Sequence, residues 1–197
     1  MVTFFLEDSA QEAFIPPLVS RLVEGEGLSL DEFEFSVLSA RGGGSIRALK
    51  EYVRDVKRRK TAVPEALVVG VDGNCKGFAD RRKQIEGIAG AEIFPAVVTA
   101  VPDPHVERWY LLDAPALSNA VGVPVAPVPP KAKCEKGHYK KLLRDTFAES
   151  GVTPPLGGIE YGPDVARDID LYEAGKLDPA LQDFVDRARA WLKIISR

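Results

Sequence analysis

Ala66-Leu67-Val68-Val69-Gly70-Val71-Asp72-Gly73-Asn74 is the stretch on which the fold turns. The run from Ala66 to Val71 carries no polar alternation, and the chain then stops on an acid, a glycine and an asparagine. A short, unbroken apolar run bounded by turn formers reads as a strand buried on both faces, central in a parallel sheet. Working outward, Val2 to Leu6 has the same character and ends on Glu7-Asp8. Phe94 to Val101 is a third such run, closed by Pro102-Asp103-Pro104. Phe33 to Ala40 instead alternates, with Phe33, Phe35 and Val37 set against Glu34 and Ser36, so it reads as a strand with one less buried face, towards an edge of the sheet.

Helical patterns fill the gaps. Ser9 stands as an N-cap with Glu12 at capping-box spacing, and Phe14, Leu18 and Leu22 follow on one face as far as Gly25 and Gly27. Pro16 and Pro17 interrupt that pattern, which predicts either a kinked first turn or a later start. Ile46 to about Lys60 buries Ile46, Leu49, Val53 and Val56, and further helices are expected from Phe78 to Gly87 and from His105 to Asp113. Strands alternating with helices predict a three-layer α/β fold with a mainly parallel central sheet and right-handed crossovers. Residues 1–120 form that core. Residues 121–197 begin with a Pro-rich connector, Val121 to Lys133, and continue as a helical C-terminal extension packing on the core, with helices near Gly137 to Ser150 and from Pro179 to Ile195.

Composition bounds the function. The chain has 197 residues, 45% hydrophobic and 28% charged, an ordinary balance for one folded unit. No stretch is apolar for long enough to span a membrane, and the N-terminus has no signal-peptide pattern, so no membrane association and a cytoplasmic location are expected. The net charge of −3 argues against coating nucleic acid through bulk electrostatics, though not against a local basic surface. The two cysteines, Cys75 and Cys134, lack CxxC spacing and are expected as free thiols.

Glu7 and Asp72 both fall at the carboxyl ends of strands, where ligands bind in open parallel sheets. If the two strands are neighbours about 5 Å apart, their terminal carboxylates can share one hard cation. Mg²⁺ takes oxygen ligands and keeps several waters, so carboxylates on different loops suffice for a site that a phosphate completes. Acids after strands are also common as helix caps and turn formers.

The order Phe4-Phe5-Leu6-Glu7, then Val69-Gly70-Val71-Asp72-Gly73-Asn74, resembles the Toprim pattern, in which a glutamate follows the first strand and an Asp-x-Asp follows a later one. Toprim domains occur in topoisomerases, primases and nucleases of the OLD type. Gly42-Gly43-Gly44, Asp72, Val106 to Asp113 with its Glu107-Arg108-Trp109, and Tyr139-Lys140-Lys141 resemble more narrowly a bacterial Toprim-like family with a Glu-x-Trp signature. The resemblance spans roughly residues 2–170 and implies a Toprim/Rossmann-like core and a Mg²⁺ cofactor, with Mn²⁺ as a substitute. It also implies an ATPase partner protein in a mobile, anti-phage defence or toxin-like system. Under it, Glu7, Asp72 and Glu107 are the candidate catalytic residues, and Glu7, Asp72 and Asn74 the candidate metal ligands. Asn74 departs from the pattern, since an amide oxygen ligates a cation without a full charge, which favours one weakly held metal over two. For Glu107 a plain ion pair with Arg108 or Arg81 is an equal reading.

Arg41-Gly42-Gly43-Gly44-Ser45 precedes a helix N-terminus, a place that favours anions. Arg41, Gly43, Ser45, Lys76 and Arg81 are the candidate phosphate or nucleic-acid contacts. Arg47, Lys50, Arg54 and Arg58 form a basic stripe that Glu51 and Asp55 temper. His105 lies near the acids and is read as structural. Three functional readings stay open: a metal-dependent phosphodiesterase acting on DNA or RNA, a catalytically inactive module that binds or regulates a partner, and nucleotidyl transfer of the primase type, which would use the same ligands but needs a nucleotide pocket that the sequence does not locate.

Overall fold

The computed structural model describes residues 1–40, 44–128, 134–135 and 137–196. Its centre is a four-stranded, all-parallel sheet of β1 (Val2–Leu6), β2 (Phe35–Ser39), β3 (Ala66–Gly70) and β4 (Val97–Ala100), in the order β2-β1-β3-β4. The fold is three-layered α/β, as the alternation of strands and helices predicts. β1 and β3 are central neighbours, with Leu6 opposite Gly70, so the residues that follow each strand emerge side by side.

Side chains alternate across the sheet. Val2, Phe4, Leu6, Ala66 and Val68 enter one core, and Phe5, Leu67 and Val69 the other. Both faces are covered, which is why these strands read as unbroken apolar runs. β2 is an edge strand, as its alternation implies, but Val37, on the apolar side of that alternation, is exposed together with Leu38. It is shorter than Phe33–Ala40, and β4 begins at Val97 because Phe94 is buried in the turn before it.

Helix α1 (Ser9–Gly25) covers the first face, and α2 (Ser45–Lys57) and α3 (Phe78–Ile88) cover the second. Two local expectations change. The N-cap of α1 is Asp8, whose carboxylate accepts from the Ala10 and Gln11 N–H groups, and not Ser9. The helix also runs through Pro16 and Pro17 without a break. Ile15, Leu18 and Val19 beside them are fully buried, and that packing outweighs the lost backbone hydrogen bonds.

The remaining helices join α1 on the first face: α4 (Glu107–Tyr110), α5 (Ala114–Val121), α6 (His138–Glu149), α7 (Gly162–Asp168), α8 (Leu171–Leu177) and α9 (Pro179–Ile195). Trp109 stacks on Phe184 of α9 with ring centres 5.9 Å apart, and Tyr110 packs on Phe14 of α1 at 4.9 Å. The Tyr110 hydroxyl donates to the Ala10 carbonyl at 2.7 Å. The short turn after β4 is therefore fixed from both sides. Among the described residues, no helix is long and apolar enough to cross a membrane.

Candidate functional site

Three strand ends meet at the carboxyl edge of the sheet. Glu7 follows β1 directly, and its Oε2 accepts the Asp72 backbone N–H at 2.8 Å. Asp72 follows β3 and is buried, with each carboxylate oxygen engaged: Gln11 Nε2 donates to Oδ1 at 2.8 Å, and His105 Nδ1 lies 2.9 Å from Oδ2. Gln11, wholly buried, also accepts the Glu7 N–H through Oε1 at 3.0 Å. One amide thus holds both acids in place.

The loop after β3 is zipped to the loop after β4. Gly73 N–H donates to the Pro102 carbonyl at 2.7 Å, Asn74 N–H to the Pro104 carbonyl at 3.0 Å, and Cys75 N–H to Asp103 Oδ1 at 2.9 Å. A Cβ on Gly73 would stand 2.6 Å from Asp103 Oδ1, so the close approach of these loops requires glycine there. The Asp103-Pro104 peptide is cis. Asn74 sits in the left-handed region with φ 50°, and its side-chain amide donates to the Asp72 carbonyl at 3.2 Å.

Glu107 opens α4, where burial of Trp109 and Tyr110 turns its carboxylate inward to 1% exposure. Its ion-pair partner is neither Arg108 nor Arg81. Lys140 Nζ lies 3.6 Å from Glu107 Oε1 and 3.5 Å from Asp8 Oδ2. Arg108 points away, paired with Asp178 at the cap of α9.

Burial shapes the electrostatics. It is the largest influence on Glu7, Asp72 and Glu107, and it raises all three above the usual carboxylate range. The Asp72 N–H opposes it at Glu7, and the His105 and Gln11 hydrogen bonds oppose it at Asp72. At Glu107 its own backbone N–H and Lys140 pull downward, although no donor among the described residues reaches hydrogen-bonding geometry with either oxygen. His105 is raised, chiefly by its hydrogen bond to Asp72.

These groups line two clefts that meet. The larger, about 690 Å³, is walled by Glu7, Asp8, Asp72, Asn74, His105 and Lys140, with Cys75, Cys134, Glu135 and Gly137 on its far side. The second, about 350 Å³, is lined by Gly44, Ser45, Ile46, Arg47 and Arg81 and shares Glu7 and Asn74 with the first. It lies at the N-terminus of α2, which no side chain among the described residues caps. An acidic cleft and a basic cleft therefore share a wall.

Of the residues singled out from the sequence, Glu7, Asp72 and Asn74 line the larger cleft together, and Ser45 and Arg81 line the second beside Glu7 and Asn74. Lys76 is exposed and lines neither cleft. Arg41 and Gly43 lie outside the described residues. Glu107 faces a cavity of about 230 Å³ next to the larger cleft, on the other side of Asp8 and Lys140. The cysteines depart from expectation: Cys75 and Cys134 form a disulfide with Cα atoms 5.7 Å apart. Both line the larger cleft, a pairing that spacing along the chain does not encode.

Among the described residues, no three His, Cys, Asp or Glu side chains are grouped so as to enclose a metal ion. Glu7 and Asp72 together still suit a hard cation that keeps most of its waters, because such an ion needs only one or two carboxylates. Glu7 holds the Asp72 N–H through Oε2 and keeps Oε1 for a ligand, and each Asp72 oxygen retains a lone pair beyond its single donor. No family model, curated protein or solved structure matches this chain.

Proposed function

We propose that this chain is a Mg²⁺-dependent phosphodiester-processing protein acting on DNA or RNA, with Mn²⁺ able to replace Mg²⁺. The observation that carries the reading is the shared wall. Glu7 and Asp72 offer oxygen ligands on one side, while Arg81, Arg47 and the uncapped N-terminus of α2 offer anion contacts on the other.

In this reading Glu7 and Asp72 would hold the cation, which would supply Lewis-acid chemistry towards a phosphate when bound. Gln11 fixes the two carboxylates relative to each other. With Asp72 ionised, His105 carries its proton on Nδ1, leaving Nε2 as the acceptor that exchanges a proton with the cleft. Arg81 and Arg47 orient the phosphate, and Lys140 adds positive charge from the opposite rim. An ATPase partner, a role as effector in a defence or toxin-like system, and a cytoplasmic location belong to the same proposal and rest on the sequence resemblance. A cytosolic setting would keep Cys75 and Cys134 reduced.

Labelled single- and double-stranded DNA and RNA incubated with Mg²⁺ or Mn²⁺ test the reading. Cleavage that Asp72→Asn lowers by about a hundredfold or more is the expected result. One observation favours a second reading, that of an inactive partner-binding module: both Asp72 oxygens already hold donors, and Asn74 turns an N–H towards the Asp72 carbonyl. No heat on titration with Mn²⁺, together with unaltered partner capture by Asp72→Asn, would select that module.

A further inference from the structure

Glu107 is 1% exposed, and neither of its oxygens accepts a hydrogen bond from a described residue. An ionised carboxylate buried in this way is tolerated only beside a counter-charge. Lys140 supplies it, yet at 3.6 Å from Glu107 and 3.5 Å from Asp8. Charge-assisted hydrogen bonds close to about 2.8 Å, so the ammonium bridges the two acids without seating tightly on either. Its side chain remains 62% exposed.

Asp8 is fixed independently, because its Oδ1 caps α1 while Oδ2 faces Lys140. Helix α6 is likewise placed without Lys140, through the buried Tyr139, Leu143 and Phe147. The lysine is therefore spare as a packing element. Asp8, Glu107 and Lys140 line the 230 Å³ cavity together with Leu143, Leu156 and Ile159, and Asp8 and Lys140 also wall the larger cleft. Two acid pairs thus lie close together, Glu7 with Asp72 and Asp8 with Glu107; among the described residues His105 reaches Asp72 alone in the first, whereas Lys140 bridges both acids of the second.

We propose that Asp8 and Glu107 form a second cation position and that the Lys140 ammonium fills it, so that the protein takes one divalent cation in a site with acids for two. The inference rests on the reading of Glu7 and Asp72 as a cation site and specifies its stoichiometry. Burial works against the charge on Lys140, but Glu107 and Asp8 outweigh it and keep the amine protonated more firmly than usual. A tethered ammonium of this kind gives a phosphate a fixed positive charge at any concentration of free metal.

Calorimetric titration of the metal-free protein with Mn²⁺, read together with the spin coupling between neighbouring Mn²⁺ ions, tests it near neutral pH. The wild type is expected to bind one ion and Lys140→Gln two, with a coupled spectrum. The doubly substituted Glu107→Gln/Lys140→Gln protein and Lys140→Arg should each return to one. Glu107→Gln alone should keep the first ion. A Lys140→Gln protein that still binds one ion overturns the proposal, and so does loss of the first ion in Glu107→Gln. If Lys140→Gln folds only with Mn²⁺ present, that supports it, and if it does not fold even then, the lysine is needed for packing and the proposal is overturned. A wild type that binds no Mn²⁺, or binds it undiminished in Asp72→Asn, overturns the reading of Glu7 and Asp72 and this inference with it. One ion in every variant that retains Asp72 overturns this inference alone.

Discussion

Gln11 donates an N–H to Asp72 and accepts one from Glu7, and it can do so because Gly70 leaves room. A Cβ at Gly70 would stand 2.7 Å from Gln11 Oε1 and from Leu6 Cδ2, and 2.9 Å from Ile15 Cδ1. Gly70→Ala should therefore lower stability by about 1–3 kcal/mol through overpacking, measured by urea denaturation, and weaken Mn²⁺ binding in the same protein. The charges around Gln11 give a second prediction. Burial raises the carboxyls of Glu7, Asp72 and Glu107 above their ordinary values of 4.5, 3.8 and 4.5. The folded state then binds more protons than the unfolded one between the ordinary and the raised values. The stability these groups contribute is complete below the ordinary values and is lost as pH rises through the raised ones. Metal-free Glu107→Gln should accordingly melt above the wild type at about pH 8, with the gap closing as the pH falls into the acid range. A gap that widens on acidification would mean that Glu107 is favoured as an anion. Part of this residue-level picture was legible beforehand, since Glu7 and Asp72 announce themselves at strand ends. Gln11 was not singled out, although it sits on the apolar stripe of Phe14, Leu18 and Leu22, where a buried amide needs partners. His105 and Lys140 carry no such mark, since a loop histidine and a lysine in a basic cluster are ordinary until the fold brings acids beside them.

Elements fix these residues in space through their ends. Asp8 comes two residues after the end of β1 and caps α1, so the second acid pair and the first helix start from the same residue. The capping-box spacing of Ser9 and Glu12 pointed one residue too far along. An aspartate immediately before a serine competes for the cap, and here it wins because β1 stops at Leu6 and leaves Asp8 extended, with φ −151°. The strands were readable from their apolar runs, and the edge position of β2 from its alternation, but their ends shifted where Phe94 was drawn into a buried turn. The disulfide was not legible at all. It ties the loop after β3 to the segment before α6 across 59 residues of sequence, a separation at which spacing along the chain says nothing about pairing. Both cysteines are exposed, so a dithiol reductant can reach the bond. Closing a loop of that length restricts the unfolded chain enough to stabilise the protein by about 2–4 kcal/mol. Cys134→Ser, or reduction of the wild type, should move the urea midpoint down correspondingly, while cleft residues outside the bridge keep their positions because Gly73 and Asn74 are held by backbone hydrogen bonds to Pro102 and Pro104. Equal stability of the reduced and oxidised proteins would mean that the bridge constrains nothing the backbone does not already hold.

At the scale of the whole molecule, the C-terminal helices complete the layer that covers the first face of the sheet, and they reach the site through α4. Trp109 stacks on Phe184, and Arg108, between Glu107 and Trp109, pairs with Asp178, which is fully buried. Asp178 does two jobs with separate oxygens: Oδ1 accepts the Ala180 and Leu181 N–H groups that begin α9, and Oδ2 takes the Arg108 guanidinium. The sequence motif Glu107-Arg108-Trp109 thereby acquires a physical meaning, with the tryptophan and arginine anchoring a turn to α9 so that the glutamate points the other way, into the acidic cavity. That division of labour could not be read from the chain alone, because which acid answers Arg108 depends on a helix about 70 residues further on. Removing one partner of a buried pair leaves the other uncompensated, at a cost of about 3–5 kcal/mol, with about 1 kcal/mol more for the lost cap. Asp178→Ala should therefore destabilise the fold by about that much in urea denaturation. Asp178→Asn retains a capping oxygen and should lose the ion-pair part only. If the C-terminal layer positions the site, Asp178→Ala should also disturb Mn²⁺ binding under conditions where the protein remains folded, and Leu177→Ala, a change at a half-exposed neighbour on the same helix boundary, should not. A variant that unfolds more easily yet binds Mn²⁺ as the wild type does would confine the C-terminal helices to stability and leave the site to the strand ends alone.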